Sequence, residues 1–159
     1  MKNVNGRFAK GKYALLSELG SKFNLSFSSH LELSNQLIAV DGLKRMLLVL
    51  ETGDELNRPY VIDLNKIDSV SIKKSYGSIQ PGELRTKKFD EFLRRIDLQF
   101  EQRDKNESIV LTFYDSAIDE LRQLQTLERN AKNWQMILSK LAWREKYKIR
   151  NDGNKLLVV

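Results

Sequence analysis

The sequence predicts a mainly β, α+β fold: a barrel or sandwich of about seven antiparallel strands closed by a long C-terminal amphipathic helix, with a short extra N-terminal helix. Two observations lead to this prediction. Between Leu25 and Tyr114, apolar and polar residues alternate with the two-residue period of half-buried strands. From Ser116 onward, apolar residues return at spacings of three and four, which places them on one face of a helix.

The length of 159 residues is that of one domain, so we expect a single domain over residues 1–159. Within it, residues 1–24 are predicted to form an N-terminal helix and basic arm. Residues 25–142 are the predicted core, and residues 143–159 a basic tail. The N-terminal helix is predicted over 7–20, with Gly20 as its end.

The first strand is predicted from Leu25 to Leu33, with His30 on its polar face. Asp41-Gly42 then favours a tight turn with positive φ, which predicts a hairpin between residues 37–40 and 43–51. Further alternating segments are predicted as strands at 60–64, 67–72, 96–100 and 109–113, the last two forming a hairpin around the polar turn 104–106.

The connection from Tyr76 to Leu93 is long and is predicted to contain a short helix around 84–93. The C-terminal helix is predicted to begin with a capping box of Ser116 and Asp119. Its apolar stripe consists of Leu124, Leu127, Ala131, Trp134, Leu138 and Leu141. An unbroken helix from this start to Arg150 would be about 50 Å long. We therefore expect a break near 123–125 or a projecting end, with residues 151–153 ending the pattern.

The net charge of +6 is concentrated at the two ends and in residues 85–95. Such basic segments attract anionic partners. The candidate anion-binding or partner-binding residues are Lys73, Lys74, Arg85, Lys87, Lys88, Arg94, Arg95, Trp143, Arg144, Lys146 and Lys148. The alternative is that these cations only solvate the surface, Asp90 and Glu91 among them.

Residues that would indicate catalysis are scarce. His30 is the one histidine, there is no cysteine, and no phosphate-binding loop or nucleophile motif occurs. A surface position on a strand explains His30 without a catalytic role. Carboxylates could bind a cation or transfer protons, but turn and helix-cap roles explain Asp63, Asp68 and the group at 115–120 equally well. We expect no enzyme activity, no cofactor and no metal site.

Three segments carry a resemblance to a known family. They are the hairpin LIAVDGLKRMLLVLE (37–51), the stretch YVIDLNKIDSVSI (60–72), and a later strand pair followed by the helix that contains Trp134. In this order they resemble the pleckstrin-homology-like superfold of bacterial pleckstrin-homology-like domains, over about residues 25–141. The resemblance implies a seven-stranded barrel closed by a helix, usually non-catalytic, that binds proteins, peptides or lipid headgroups. The N-terminal helix and the Tyr76–Leu93 connection depart from it, and no basic lipid-binding signature is present.

The function predicted from these observations is a non-catalytic binding module for a protein or peptide partner. One alternative is peripheral binding to anionic membrane or phospholipid through residues 73–95 or 140–150. Another is nucleic-acid binding, for which the aromatic residues are poorly grouped with the basic ones. A homodimer through the C-terminal helix is a further alternative. With no cysteine, no signal peptide and no long apolar run, we expect a cytoplasmic protein, or one peripheral at the inner membrane face.

Overall fold

The computed structural model describes residues 11–52 and 57–157, and the side chains of residues 11–52 and 58–142. The described helices are α1 (Lys12–Phe23) and α2 (Leu124–Leu157). The strands are β1 (Ser29–Glu32), β2 (Gln36–Asp41), β3 (Met46–Thr52), β4 (Asn57–Asp63), β5 (Ile67–Tyr76), β6 (Leu93–Gln102) and β7 (Ser108–Asp115). Short 3-10 turns lie at Leu64–Lys66, Glu83–Arg85, Phe89–Phe92 and Leu121–Gln123.

The predicted mainly β fold class is confirmed. The seven strands described pair antiparallel in two sheets, with the orders β1-β2-β3-β4 and β5-β6-β7. No strand pairing in the described part of the chain closes these sheets into a barrel. The chain divides into two compact units, Met1–Asn65 and Lys66–Val159, each of which contains one sheet and one helix.

The first unit is built on the β1–β4 sheet. Helix α1 covers one of its faces, where Leu16 and Leu19 pack with Leu37, Leu48 and Leu50. Every second residue of β2 and β3 points to this face. The other residues of the two strands point to the opposite face and are also apolar and fully buried: Ile38, Val40, Leu47 and Val49.

The second unit is built on the β5–β7 sheet, on which α2 packs. Ala131, Trp134 and Leu138 are buried along α2, so the apolar stripe predicted from the sequence is confirmed. Two α2 side chains also hydrogen-bond to a β5 carbonyl. Gln135 Nε2 and Ser139 Oγ donate to Val70 O at 2.9 and 3.2 Å, which satisfies a polar group on an edge strand.

Helix α1 does not end at Gly20, as the sequence predicted, but continues to Phe23. Asn24 provides the left-handed residue that ends it, with φ of 57°. Gly20 has a different role: a Cβ there would lie 2.8 Å from Leu25 O, so the chain can fold back over the helix only at a glycine. The predicted start at residue 7 lies outside the described residues.

The hairpin predicted around Asp41-Gly42 is confirmed, because β2 and β3 pair antiparallel, but the predicted turn is wrong. The connection spans residues 42–45, and its positive φ of 57° is at Arg45. The Asp41 side chain explains the difference, because its Oδ1 accepts hydrogen bonds from the N–H groups of Leu43 and Lys44. This side-chain-capped turn replaces the glycine-dependent one.

The helix predicted over 84–93 is also wrong, since this segment forms two 3-10 turns separated by extended backbone at Lys88 (φ −76°, ψ 153°). Glu83 Oε1 accepts from the Gln80 N–H at 2.7 Å, and Glu91 Oε2 accepts from the Lys88 N–H at 2.6 Å. The Lys88 N–H is a donor that a continuous helix over 84–93 would have used, so the bond to Glu91 favours a separate short turn there.

The start of the C-terminal helix differs from the predicted capping box of Ser116 and Asp119. Asp119 instead accepts a hydrogen bond from the Asp115 N–H at 2.8 Å, and the box is formed by Glu120 and Gln123, with Gln123 Oε1 accepting from the Glu120 N–H at 3.0 Å. A 3-10 turn follows and changes to α-helix at Leu124, within the region 123–125 where a break was one of the two predicted alternatives. The helix then continues past residues 151–153, its predicted end, to Leu157.

Candidate functional site

A groove of about 630 Å³ lies in the second unit, between the 3-10 turn Phe89–Phe92 and the start of α2. We call it the insertion groove, because one wall belongs to the Tyr76–Leu93 connection that departs from the resembled fold. Its lining residues are Lys88, Asp90, Glu91, Leu121, Arg122, Leu124, Gln125 and Glu128. It therefore combines apolar side chains with charges of both signs.

The connection that forms one wall is fixed at both of its ends. The Gly77 N–H donates to Phe92 O at 2.7 Å, which brings the two ends of the connection together. The Arg94 side chain lies so close to Gly77 that a Cβ there would be 2.5 Å from Arg94 Nε. The rings of Tyr76 and Phe89 pack with their centroids 4.6 Å apart. These contacts hold the connection beside the strands it joins.

The other wall is the beginning of α2, which is tied to β5 by an ion pair. Lys74 Nζ donates to Glu128 Oε2 at 2.5 Å. This hydrogen bond raises the pKa of Lys74 above its usual value and lowers the pKa of Glu128, in each case against the opposing effect of burial. Both groups therefore stay charged over a wider pH range than they would alone.

Apolar side chains line the groove at two depths. Leu124 is buried, with 6% of its surface exposed, whereas Leu121 is 50% exposed. Phe89 is 51% exposed as well, but it does not line the groove and packs on the ring of Tyr76. Large apolar side chains that remain half exposed at the edge of a groove can still be covered by a ligand, which would remove them from water.

The charges of the groove differ in how far they are already engaged. Arg122 pairs with Glu120, Glu128 pairs with both Lys74 and Lys132, and Glu91 accepts the Lys88 N–H. The Asp90 carboxylate contributes to the raised pKa of Lys74 through its charge, and no described residue donates a hydrogen bond to it. Asp90 is therefore the groove carboxylate with the most freedom to bind a partner.

The structure does not bring the predicted basic residues of 73–95 together. Lys74 and Lys88 lie at the insertion groove. Lys73 is paired across the strands with Asp97 of β6, and Arg95 donates to Asp97 at 3.1 Å. Lys73 and Arg95 therefore lie on the face of the sheet opposite to that of Lys74. The remaining three have separate positions: Lys87 pairs with Glu83 at 3.3 Å, Arg94 lies against Gly77, and Arg85 is exposed at the end of a 3-10 turn. The side chains of Trp143, Arg144, Lys146 and Lys148 lie outside the described residues.

The groove is lined in part by residues that were not among the predicted site residues: Leu121, Arg122, Gln125 and Glu128. Asp90 and Glu91 were predicted only to solvate the surface. Leu121 lies three positions before Leu124 and so continues the spacing of the α2 stripe, yet it is 50% exposed. No signal in the sequence separates it from the buried residues of the stripe, because its exposure depends on where the α-helix begins and on what packs there.

A second cleft, of about 600 Å³, lies in the first unit between α1 and β1. Tyr13 and His30 stand on its wall, with their rings edge to face and 5.4 Å apart. His30 is half buried on β1, so the predicted strand position is confirmed. Across the described residues, no group of three or more His, Asp or Glu side chains is placed to hold a metal ion.

No described helix is both long enough and apolar enough to cross a membrane. Comparisons of this chain with models of protein families, with curated proteins and with solved structures find no match. The resemblance to the pleckstrin-homology-like superfold stays a prediction.

Proposed function

We propose that this chain is a non-catalytic interaction module whose insertion groove holds a short segment of a partner protein. The observation that carries the proposal is Leu121, half exposed on the wall of a groove bordered by charged residues. Protein-binding surfaces commonly combine a central apolar contact with a polar rim. Leu124 is buried and also lines the groove, so it adds to the apolar surface there.

The size of the groove supports a short segment as the occupant. Its volume of about 630 Å³ lies within the usual range for sites that hold a small ligand or a few side chains. A whole folded partner would need about 800 Å² of surface on each side, far more than one groove provides. An extended peptide or loop can insert two or three side chains while the rest of its backbone stays in water.

The polar groups of the groove support binding over catalysis. Glu91 and Glu128 each hold a neighbouring group in place, and such contacts rigidify the walls, whereas the exposed Arg122–Glu120 pair adds little. A rigid groove binds a peptide more tightly because less side-chain freedom is lost on binding. The scattered placement of the cations in 73–95 gives less support to the membrane and nucleic-acid alternatives, which stay predictions.

The test is selection of peptides on the intact chain, followed by affinity measurements with one groove variant. Phage-displayed random dodecapeptides are selected on the immobilised protein, and the enriched peptides are synthesised with a fluorescent label. We expect Leu121→Glu to weaken their binding by at least about tenfold, because it places a charge where an apolar side chain should pack.

Ile118→Glu is the matched control for this experiment. Ile118 is 53% exposed against 50% for Leu121, it lies three positions earlier, and it is not a lining residue of the groove. The selected peptides should bind Ile118→Glu with unchanged affinity. The proposal is wrong if no peptide is enriched, or if the two variants lose affinity equally.

A further inference from the structure

We infer that the edge of β7 is an interaction surface for a second copy of this chain, and that two β7 strands pair antiparallel across a two-fold axis at Val110. This surface is separate from the insertion groove, and the inference does not depend on the proposed function. It rests on the unused backbone groups of β7, on the contrast with the other edge strands, and on the complementarity of the β7 sequence with itself.

Strand β7 lies at one edge of its sheet, so alternate residues turn their backbone N–H and C=O groups away from β6. Two hydrogen bonds establish the alternation on β6. The Arg103 N–H donates to Lys66 O on the β5 side, and Arg94 O accepts from the Ser116 N–H on the β7 side. Even-numbered residues of β6 therefore bond to β7, and through the pairs of Leu98 and Phe100 their partners are Leu111 and Ile109.

The residues of β7 that face outward are the ones that alternate with these partners: Ser108, Val110 and Thr112. No hydrogen bond within the described part of the chain reaches their outward N–H and C=O groups. Val110 is also 44% exposed, although its side chain is apolar. The edge of β7 therefore offers a further strand a row of backbone donors and acceptors that this chain does not use.

The other edge strands of the two described sheets have features that hinder the addition of a strand. On β5, two side chains of α2 already donate to Val70 O. Strand β4 contains Pro59, which has no N–H to donate, and β1 has only 4 residues. Strand β7 has 8 residues, and from Ser108 to Tyr114 it contains no charge, proline or glycine. Segments of this composition pair readily with a like strand.

The β7 sequence complements itself in one antiparallel register, and this identifies a second copy as the occupant. With the axis at Val110, that residue lies opposite Val110 of the second copy, and Ser108 lies opposite the second copy's Thr112. Each of these pairs can exchange two backbone hydrogen bonds. Apolar pairs and pairs of hydroxyl side chains both stabilise neighbouring strands. The acidic residues that flank the uncharged segment, Glu107 and Asp115, do not lie opposite each other in this register.

Sedimentation velocity of the intact chain over a range of concentrations tests the inference. We expect a monomer–dimer equilibrium, and we expect Val110→Lys to weaken the dimer by at least about tenfold, because it places like charges directly opposite each other. Met136→Lys is the charge-matched control. Met136 is 55% exposed on α2, so this variant should dimerise as the wild type does. Thermal melts check that both variants are folded.

Single cysteine variants test the register, because the chain has no cysteine of its own. The Cα atoms of a hydrogen-bonded antiparallel pair lie about 5.5 Å apart, which is within the range that a disulfide spans. Mild oxidation should link Val110→Cys into a covalent dimer at least about tenfold faster than Ser108→Cys, whose two copies are displaced along the strands.

Three results would overturn the inference. The first is a chain that stays monomeric at its highest soluble concentration and gives no covalent dimer of Val110→Cys. The second is a dimer that Met136→Lys weakens and Val110→Lys does not, because the copies would then meet through α2. The third is equal cross-linking of Val110→Cys and Ser108→Cys. None of these results bears on peptide binding in the insertion groove, so the proposed function is tested separately.

Discussion

Asp41 is a buried charged residue whose carboxylate organises a loop of the first unit. It is 2% exposed and accepts hydrogen bonds from the N–H groups of Ser26, Leu43 and Lys44 at 2.9 to 3.0 Å. Burial acts to raise its pKa, but these bonds and the nearby Lys44 charge outweigh burial and lower the pKa below its usual value. The folded state therefore prefers the ionised form.

We expect Asp41→Asn to lower the free energy of unfolding by about 1–3 kcal/mol at pH 7, because the amide provides one acceptor oxygen where the carboxylate provides two. The pKa of Asp41 is lower when folded than when unfolded. Its contribution is therefore complete above the unfolded value and is lost as the pH falls through the folded value. Thermal melts at several pH values should show a difference from wild type that shrinks below about pH 4.

Asp104→Asn is the control for this prediction, because Asp104 is exposed. Its melting temperature should follow that of the wild type at each pH. A melting temperature for Asp41→Asn equal to wild type at pH 7, or a difference that grows in acid, would contradict the role given to Asp41.

At the residue scale, the sequence identified Asp41 as a turn residue but not as a buried acceptor. The reason is that one of its three donors, the Ser26 N–H, lies 15 positions away. The same applies to the Lys74–Glu128 pair, whose members are 54 positions apart. A local sequence pattern shows only how neighbouring residues are arranged along the chain, whereas the burial and pairing of a charge depend on tertiary contacts.

At the element scale, α2 shows a clean separation of buried and exposed faces. Trp134 is 5% exposed and Leu138 fully buried, whereas Met136 is 55% exposed. The periodicity of the sequence was sufficient to predict this face, because apolar spacing of three and four determines which side of a helix can be buried. The Tyr76–Leu93 connection was predicted less well, since short 3-10 turns carry no comparable periodicity.

We expect Trp134→Ala to lower the free energy of unfolding by about 3–5 kcal/mol, because it removes a large buried side chain and leaves a cavity beneath α2. Met136→Ala, two positions away on the exposed face, should change it by no more than about 0.5 kcal/mol. Urea unfolding followed by circular dichroism measures both. Similar midpoints for the two variants would mean that α2 does not pack through the Trp134 face.

At the scale of the whole molecule, the order of strands and helices followed from alternation of period, and the fold class was predicted correctly. The location of the candidate site could not be predicted from the sequence. The number of basic residues in 73–95 made this segment a predicted binding site. In the structure, Lys73 and Arg95 lie with Asp97 on one face of the sheet, whereas Lys74 pairs with Glu128 of α2. Lys73 and Lys74 are adjacent on β5, so their side chains point to opposite faces of the sheet, and a count of basic residues along the segment does not separate the two faces.

The proposal that a partner segment binds in the insertion groove can be tested by titrating the isotope-labelled chain with one selected peptide and following its amide chemical shifts. We expect the shifts to concentrate at the groove residues Lys88, Asp90, Leu121, Gln125 and Glu128. Shifts that concentrate instead around Tyr13 and His30, at the cleft between α1 and β1, would contradict it.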